Sequence, residues 1–443
     1  MAERQPPEAG RGTATGTASD RAALAALVGL CLLYAGLAAL PAADGSNLVL
    51  ATAGGSPDWL LGPLRVVGGD WTDGGLGGPL FYAGLWLALA LWAVLVTRAG
   101  RLAARTVIAA LVAVHLLFLL APPLLSQDVF SYIAYARLGV EHDLNPYEHS
   151  PADEPGDAVY PYAGSKTATS AYGPLFTLAT YPLAGLGIPT AFWILKVVAA
   201  LASLALIGVV WRTAERLGRD PLAPAVFVGM NPLTLAHVVG GAHNEAYVVL
   251  LTMLGVLAWA AGRGAAAGAA GTLAAGIKAS AGLVVPFLVA AGRARRVVAG
   301  AAAAVVAIVV AAYAGFGADA LDALGLLSDN QERSSRWSFP YKTAQLLGAL
   351  LPGDRLDYRD AVRAGYAIAF AAVALWLLLR TWRGEDPIRM AGWATLALLI
   401  ASAWLVPWYA LWLLPLAALA ADRRLELATA ALCAWMLVIA VPL

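Results

Sequence analysis

The residue best placed to do chemistry is Asp128, in the run Ser126-Gln127-Asp128-Val129-Phe130-Ser131-Tyr132 that follows an apolar stretch and Pro122-Pro123. A carboxylate set where chain leaves an apolar medium is partly desolvated yet reachable from water, as a general base for a hydroxyl group must be. The position suits capping equally well, because Ser126 and Asp128 are both favoured N-cap types ahead of the helix-like Val129 to Gly139. On sequence alone the two readings stand level.

A second polar group is Gly240-Gly241-Ala242-His243-Asn244-Glu245, a turn between two apolar stretches, preceded by Asn231 and His237. Three polar side chains at the edge of an apolar medium carry a desolvation cost unless they meet partners or a cavity. The plainer alternative is a solvated turn with Asn244 capping the next helix. A third group runs from Glu332 to Lys342, where Arg333, Arg336 and Lys342 stand among hydroxyls and aromatics that suit a phosphate and its sugar. An interfacial loop with snorkelling arginines and an aromatic belt would look the same. Lys278, flanked by apolar segments, is a functional candidate by position. Pro407-Trp408-Tyr409 reads either as an aromatic belt or as rings that stack on a sugar face. His115 and Lys196 read as packing or snorkelling residues.

These candidates must be held by helices in a bilayer. The chain has 443 residues, 60% hydrophobic and only 13% charged, where soluble domains carry about a quarter charged residues. So few charges cannot solvate a surface of this size, and the bilayer is the solvent for most of it. A net charge of +1 gives no case for nucleic acid. Cys31 and Cys433 sit in apolar runs without metal-binding or redox spacing. The Ala/Gly run from Gly264 to Ala275 reads as compositional bias rather than a repeat.

Segments long enough to cross fall near 22–42, 80–97, 106–124, 189–211, 221–240, 245–262, 297–316, 361–380, 389–406, 407–421 and 425–443. Arg98/Arg101/Arg105, Arg212/Arg216/Arg219, Arg293/Arg295/Arg296, Arg380/Arg383 and Arg423/Arg424 fall on one side, which the positive-inside rule makes cytoplasmic. The connections 43–79, 125–188 and 317–360 then lie outside. Residues 1–21 read as a disordered cytoplasmic tail with no cleavable signal after it. Between Arg263 and Arg293 the alternation breaks, and two arrangements stay open. Two short helices could dip in and return, or two short spans could meet at a small outer turn near Lys278. The expected fold is an all-α polytopic membrane protein of about 11–13 transmembrane helices. Interfacial helices are expected in the loop 125–188, Leu175 to Leu186 among them.

Asp128-Val129-Phe130-Ser131-Tyr132, Asn145-Pro146-Tyr147, Ala171-Tyr172-Gly173-Pro174, Gly240 to Glu245, the run around Lys278 and Val406-Pro407-Trp408-Tyr409 occur in a familiar order. In that order the chain resembles the actinobacterial polyprenol-phosphate-mannose-dependent α-1,6-mannosyltransferases of lipomannan assembly, within the GT-C superfamily. The resemblance runs from about residue 106 to the C-terminus, and 317–342 departs most from the family's pattern. It implies an additional N-terminal hairpin (22–105), a GT-C-like catalytic core (106–316), an extracytoplasmic loop (317–360) and C-terminal transmembrane helices (361–443). It also implies that Asp128 is the catalytic base.

The activity so implied is inverting transfer of a sugar, mannose by resemblance, from a polyprenyl-phosphate donor to a hydroxyl of a glycan or glycolipid. The plasma membrane would hold the enzyme with its active site facing outside the cytoplasm. The leaving lipid phosphate needs cationic or hydrogen-bond stabilisation, for which Arg336, Arg333, Lys342, Lys278 and His243 are candidates. Tyr132, Tyr172, Asn244, Glu245, Trp408 and Tyr409 complete the expected substrate-binding set. No Asp-x-Asp pair lies near Asp128, Asp70-Trp71-Thr72-Asp73 being in another loop, so neither metal nor cofactor is expected. The Gly-rich stretches fit no nucleotide-binding pattern, which agrees with a lipid-borne donor. The competing class is a lipid-linked sugar flippase or transporter, which broken helices and Lys278 would suit. Against it stand the lack of a clear inverted repeat and the clustering of polar groups on one face.

Overall fold

A computed structural model describes residues 14–43, 48–49, 57–68, 77–318 and 333–440. Of the expected disordered tail 1–21, residues 1–13 lie outside the described residues, as do the Asp70 to Asp73 run and residues 319–332, Glu332 included, whereas 14–21 are helical, continuing the first apolar run backwards. No strand occurs among those described.

Helices α1 (Ala14–Ala39) and α2 (Gly77–Val96) pair closely, because Gly84 leaves room for Leu37, whose Cδ2 would lie 2.7 Å from a Cβ there. The pair shares a core with the rest of the chain. Tyr34 Oη donates to the Met230 carbonyl at 2.6 Å and Trp92 Nε1 to that of Phe227 at 3.1 Å. Helix α3 (Ala104–Leu120) leads into the loop 125–188, which holds α4 (Asp128–Glu141) and α5 (Pro174–Thr180). Aromatic packing fixes α4: Phe130 stacks on Phe192 at 5.5 Å and meets Trp59 edge-on. Hydrogen bonds staple the loop to itself. Ser170 N–H donates to the Pro146 carbonyl at 2.7 Å, and Tyr147 Oη to that of Tyr172 at 3.0 Å. The Asn-Pro-Tyr and Tyr-Gly-Pro blocks are therefore neighbours.

Helix α6 (Ile188–Arg216) is followed by α7 (Leu222–Gly229), so the expected span 221–240 is not one helix. Pro232 lacks a backbone donor and ends α7 near Asn231; the chain resumes as a π-helical turn, Thr234–Val239, whose residues are all buried. Irregular backbone at this depth is tolerable because protein surrounds it. Helix α8 (Glu245–Ala260) precedes α9 (Gly264–Ala275), a 3₁₀ turn (Ala279–Leu283), α10 (Val284–Ala290) and α11 (Ala294–Phe316). Arg293 donates to the Trp259 carbonyl at 3.4 Å, so the α9–α10 pair leaves and returns to the same end. Its tip, at Lys278, reaches the depth of Glu245. The Ala/Gly run in α9 has a packing use as well as a compositional origin. A Cβ on Gly268 would sit 1.9 Å from the Val297 carbonyl oxygen, and one on Gly300 1.9 Å from that of Ala265. Small residues let the two backbones touch.

The C-terminal part comprises α12 (Phe339–Leu350), α13 (Arg355–Trp382), α14 (Pro387–Ala401), α15 (Ala410–Leu419) and α16 (Arg423–Ala440). An Asp354/Asp357 capping box starts α13 at Arg355, ahead of the expected 361. Among the described residues five helices are long and apolar enough to cross a membrane: Arg21–Ala42, Gly77–Val96, Ile188–Arg216, Ala294–Phe316 and Arg355–Trp382. Most other expected spans are apolar helices of 10–17 residues, cut short by breaks such as those at Pro232, Gly276 and Pro407. The arginine-bearing turns gather at one end. Arg219 donates to the Leu419 carbonyl and lies 3.7 Å from Asp386, while Leu217, Trp259 and Arg293 border one shallow pocket. The helices of the loop 125–188 and the Lys278 tip meet each other away from that end.

Candidate active site

At the end of α3 the chain is pinned by a buried cation. Lys196 Nζ donates to the carbonyls of Phe118 at 3.0 Å, Pro122 at 3.3 Å and Ala121. It is fully buried and does not snorkel: its three donors serve carbonyls left open where α3 ends. His115 is a packing residue, its Nε2 3.0 Å from Ser203 Oγ. Leu125 then takes a left-handed conformation (φ 61°), uncommon for a side chain of that size. The turn it makes starts α4 at Asp128, whose own N–H donates to Ser126 Oγ at 3.1 Å. The N-cap position is Gln127 and no side chain caps the helix, so Asp128 is its first residue and not its cap. The Asp128 carboxylate, 34% exposed, lines a cavity.

The turn 240–245 docks on this segment through backbone. Leu124 N–H donates to the Gly240 carbonyl at 3.3 Å, and a Cβ on Gly241 would sit 3.0 Å from the Leu124 carbonyl oxygen. Ala242 is left-handed (φ 53°), and Asn244 N–H donates to Tyr132 Oη at 3.2 Å. In consequence His243 Nδ1 lies 3.5 Å from Asp128 Oδ2 and 3.8 Å from Glu245 Oε2. The imidazole stacks on Trp408, centroids 3.9 Å apart at 22°. His243, Asn244 and Glu245 are fully buried, and the Asn244 amide makes no capping bond.

Lys278 comes to the same place because the Tyr-Gly-Pro block docks on the tip of the α9–α10 pair. Gly173 N–H donates to the Ile277 carbonyl at 2.8 Å and Leu175 N–H to that of Gly276 at 3.2 Å. Only glycine fits at 173, where a Cβ would lie 2.2 Å from the Gly276 oxygen. The Lys278 ammonium lies 2.5 Å from Glu245 Oε1, 4.5 Å from the Tyr409 ring centre and 5.4 Å from that of Trp412. Arg333 is delivered by Ser335, whose N–H donates to the Ala403 carbonyl at 2.9 Å while its Oγ accepts from Leu405 N–H at 3.2 Å.

The cavity, about 600 Å³, is walled by Asp128, Tyr172, Lys278, Arg333, Trp404, Trp408, Tyr409 and Trp412, with an apolar flank of Val305, Ile308, Val309 and Leu398. Two expected members are elsewhere. Arg336 is exposed, and Lys342 lies over the Trp337 ring at 3.9 Å and donates to Gln345. Lys342 stands in the first turn of α12, which Ser338 caps by accepting from Tyr341 N–H. Tyr132, His243, Asn244 and Glu245 stand behind the wall rather than on it, so they position the lining without forming it. Trp404, Trp412 and Ser402 line it without having been anticipated. Trp412 was legible in principle, since it falls three residues after Tyr409 and therefore on the same helical face; the rings stack at 4.0 Å.

Burial, and next the Glu245 carboxylate, push the Asp128 carboxyl up to about 6, against the opposing pull of Lys278, the Ser126 hydrogen bond and Arg333. A carboxylate so tuned is still ionised at neutral pH and is a stronger base than a free one. Among the described residues no cluster of three or more His, Cys, Asp or Glu is arranged to hold a metal ion.

A family model described as "Alpha-(1->6)-mannopyranosyltransferase, N-terminal domain" matches residues 33–295, and one described as "MptB C-terminal domain" matches 349–443. The chain belongs to this mannosyltransferase family. It is 32% identical over 351 residues to alpha-(1->6)-mannopyranosyltransferase A of Mycobacterium tuberculosis, covering 73% of this chain and 67% of that protein. It is 31% identical over 181 residues to the protein of the same name from Corynebacterium glutamicum, covering 38% of this chain and 35% of that one. A second alpha-(1->6)-mannopyranosyltransferase of M. tuberculosis is 34% identical over 149 residues, covering 31% of this chain and 24% of its own. No solved structure matches the chain. The N-terminal match spans Asp128, the 240–245 turn and Lys278, and the C-terminal match spans Trp404, Trp408, Tyr409 and Trp412. Arg333 lies between the two.

Proposed function

We propose that the cavity transfers mannose from a polyprenyl-phosphate donor to an acceptor hydroxyl, with inversion, on the face of the membrane away from the cytoplasm. The observation that carries this reading is the meeting of one tuned carboxylate, Asp128, with two cations, Lys278 and Arg333, in a cavity that is aromatic on one side and aliphatic on the other. The acceptor oxygen attacks the anomeric carbon while Asp128 takes its proton. The bond from that carbon to the phosphate oxygen breaks, and polyprenyl phosphate leaves with the electron pair. One displacement on a β-linked donor gives an α-mannoside.

Charge grows on the leaving phosphate as the bond stretches, and Lys278 and Arg333 supply preorganised positive charge there. Trp404, Trp408 and Tyr409 offer faces to the sugar, and Val305, Ile308 and Val309 offer apolar surface to the first isoprene units. The gathering of arginine-bearing turns at the opposite end supports the orientation. The test is reconstitution of the purified protein with polyprenyl phosphate mannose and a synthetic α-mannoside acceptor, with the product's anomeric configuration read by NMR. An α-linked extended product is expected. A β-linked product, or movement of the lipid-linked sugar across vesicles without any product, contradicts the reading.

A further inference from the structure

Behind the cavity wall stands a titratable group that the transfer step does not use. His243 is fully buried, its imidazole is clamped face-on against Trp408 at 3.9 Å, and neither ring nitrogen has a hydrogen-bond partner. A buried polar atom without a partner costs stability unless it serves another end. The backbone goes to some length to place this ring. Gly241 admits the turn against the His237 carbonyl, Ala242 is held left-handed, and His243 N–H donates to the Val238 carbonyl at 3.0 Å across the π-helical turn. Such turns often mark functional sites. The result is one nitrogen, Nδ1, lying between two carboxylates: 3.5 Å from Asp128 and 3.8 Å from Glu245.

We infer that His243 is a positioning residue for the base: as the Nδ1–H tautomer it donates to Asp128, holds that carboxylate ionised and aims its other oxygen into the cavity. The inference rests on the reading of Asp128 as base and reassigns His243, which stands behind the cavity wall and does not line it. The imidazole is neutral in this role. Burial chiefly, then His237 and Lys278, push its pKa well below the ordinary range. Catalytic hydrogen bonds are often long in the empty site and tighten when substrate closes it. A sub-ångström shift of the Asp128 side chain completes this one.

Around Asp128 the other charged groups are Glu245, Lys278 and Arg333, and the phenols facing it are Tyr132, Tyr135, Tyr172 and Tyr409. Phenols ordinarily titrate near 10, above the range that matters. Around His243 they are Asp128, Glu245, Lys278 and His237. A hydrogen bond to the ionised carboxylate favours ionisation, so removing the donor raises the Asp128 pKa.

The experiment compares the pH dependence of kcat/KM in the full-length enzyme with His243→Phe and His243→Asn, each normalised to folded protein. Asparagine places an amide N–H near the position of Nδ1; phenylalanine keeps the stack on Trp408 without a donor. His243→Phe should move the acid limb up by about one pH unit, a tenfold loss at the acid end, and should also lower the alkaline plateau, where the carboxylate is ionised but no longer aimed. His243→Asn should bring the limb back. Acid limbs that coincide in both variants and the parent overturn the inference. Because His243→Phe could fail to fold, a second measurement uses the parent protein alone. With ¹⁵N-labelled histidine, the His243 signal must show the proton on Nδ1, and a proton on Nε2 alone overturns the inference. Asp128→Asn in the same assay separates the two ideas. Near-normal turnover there removes the base itself, whereas an inactive Asp128→Asn beside unmoved His243 limbs removes only the role given to His243.

Discussion

The Lys278 ammonium and the Glu245 carboxylate form an ion pair 2.5 Å long between the tip of the α9–α10 pair and the first residue of α8. Glu245 is fully buried, and 16% of the Lys278 side chain is exposed, toward the cavity. The pair therefore does two things: it ties the tip to α8, and it holds a cation where phosphate would sit. Breaking a buried pair from one side strands a charge and costs about 3–5 kcal/mol, whereas removing both charges costs far less. Lys278→Met should lower the thermal midpoint in detergent sharply, and adding Glu245→Gln should restore most of it. Neither variant should recover transfer, because the proposed leaving phosphate has lost one of the two cations on the cavity wall.

Gly173 is the point where the loop 125–188 crosses the broken helix, and a methyl group there would lie 2.2 Å from the Gly276 carbonyl oxygen. Backbone on both sides leaves no flexible side chain to give way. Gly173→Ala should destabilise by about 1–3 kcal/mol, the usual cost of overpacking. Transfer should fall further than stability alone explains, since the crossing also sets Lys278. Thermal unfolding and transfer rate at a temperature where the variant remains folded separate the two effects.

The pH dependence has a definite sign. Asp128 must be ionised to accept a proton, and burial with the Glu245 charge raises it to about 6. Activity should be full at neutral pH and decline as pH falls through about 6. Glu245→Gln removes the charge that raises it and leaves Lys278 to pull it down, so the acid limb should move to lower pH. An unchanged or upward-moving limb in Glu245→Gln would show that another group controls it. Rates measured across pH 4.5 to 8 with a saturating donor (a range set by the ordinary carboxylate and imidazole values, about 4 to 6.5) make the comparison.

The sequence carried the helical class well, because apolar runs and arginine clusters report bilayer spans directly. It carried the site unevenly. Asp128, Lys278, Trp408 and Tyr409 were legible from their placement at apolar boundaries. The order of contact was not. Nothing local in Gly173 or Gly241 says which distant carbonyl each must admit, and nothing in Asn231-Pro232 says that the chain resumes as a π-helical turn. Arg336 and Lys342 are cations of the same stretch as Arg333, and nothing in the sequence announces the Ser335 hydrogen bonds to Ala403 and Leu405 that hold the Arg333 segment beside the cavity. Composition also hid packing: the Ala/Gly run of α9 becomes meaningful only once α11 lies against it.

Whether Asp128 takes the acceptor's proton is read from the single-turnover rate of mannosyl transfer by purified Asp128→Asn. Asparagine keeps the shape and cannot accept the proton. The variant should fold, should bind polyprenyl phosphate mannose with near-parental affinity, and should transfer at least about 10²- to 10⁴-fold more slowly, the range a positioned proton acceptor contributes. Transfer within a few-fold of the parent, with the variant folded and donor-bound, would show that another group is the base.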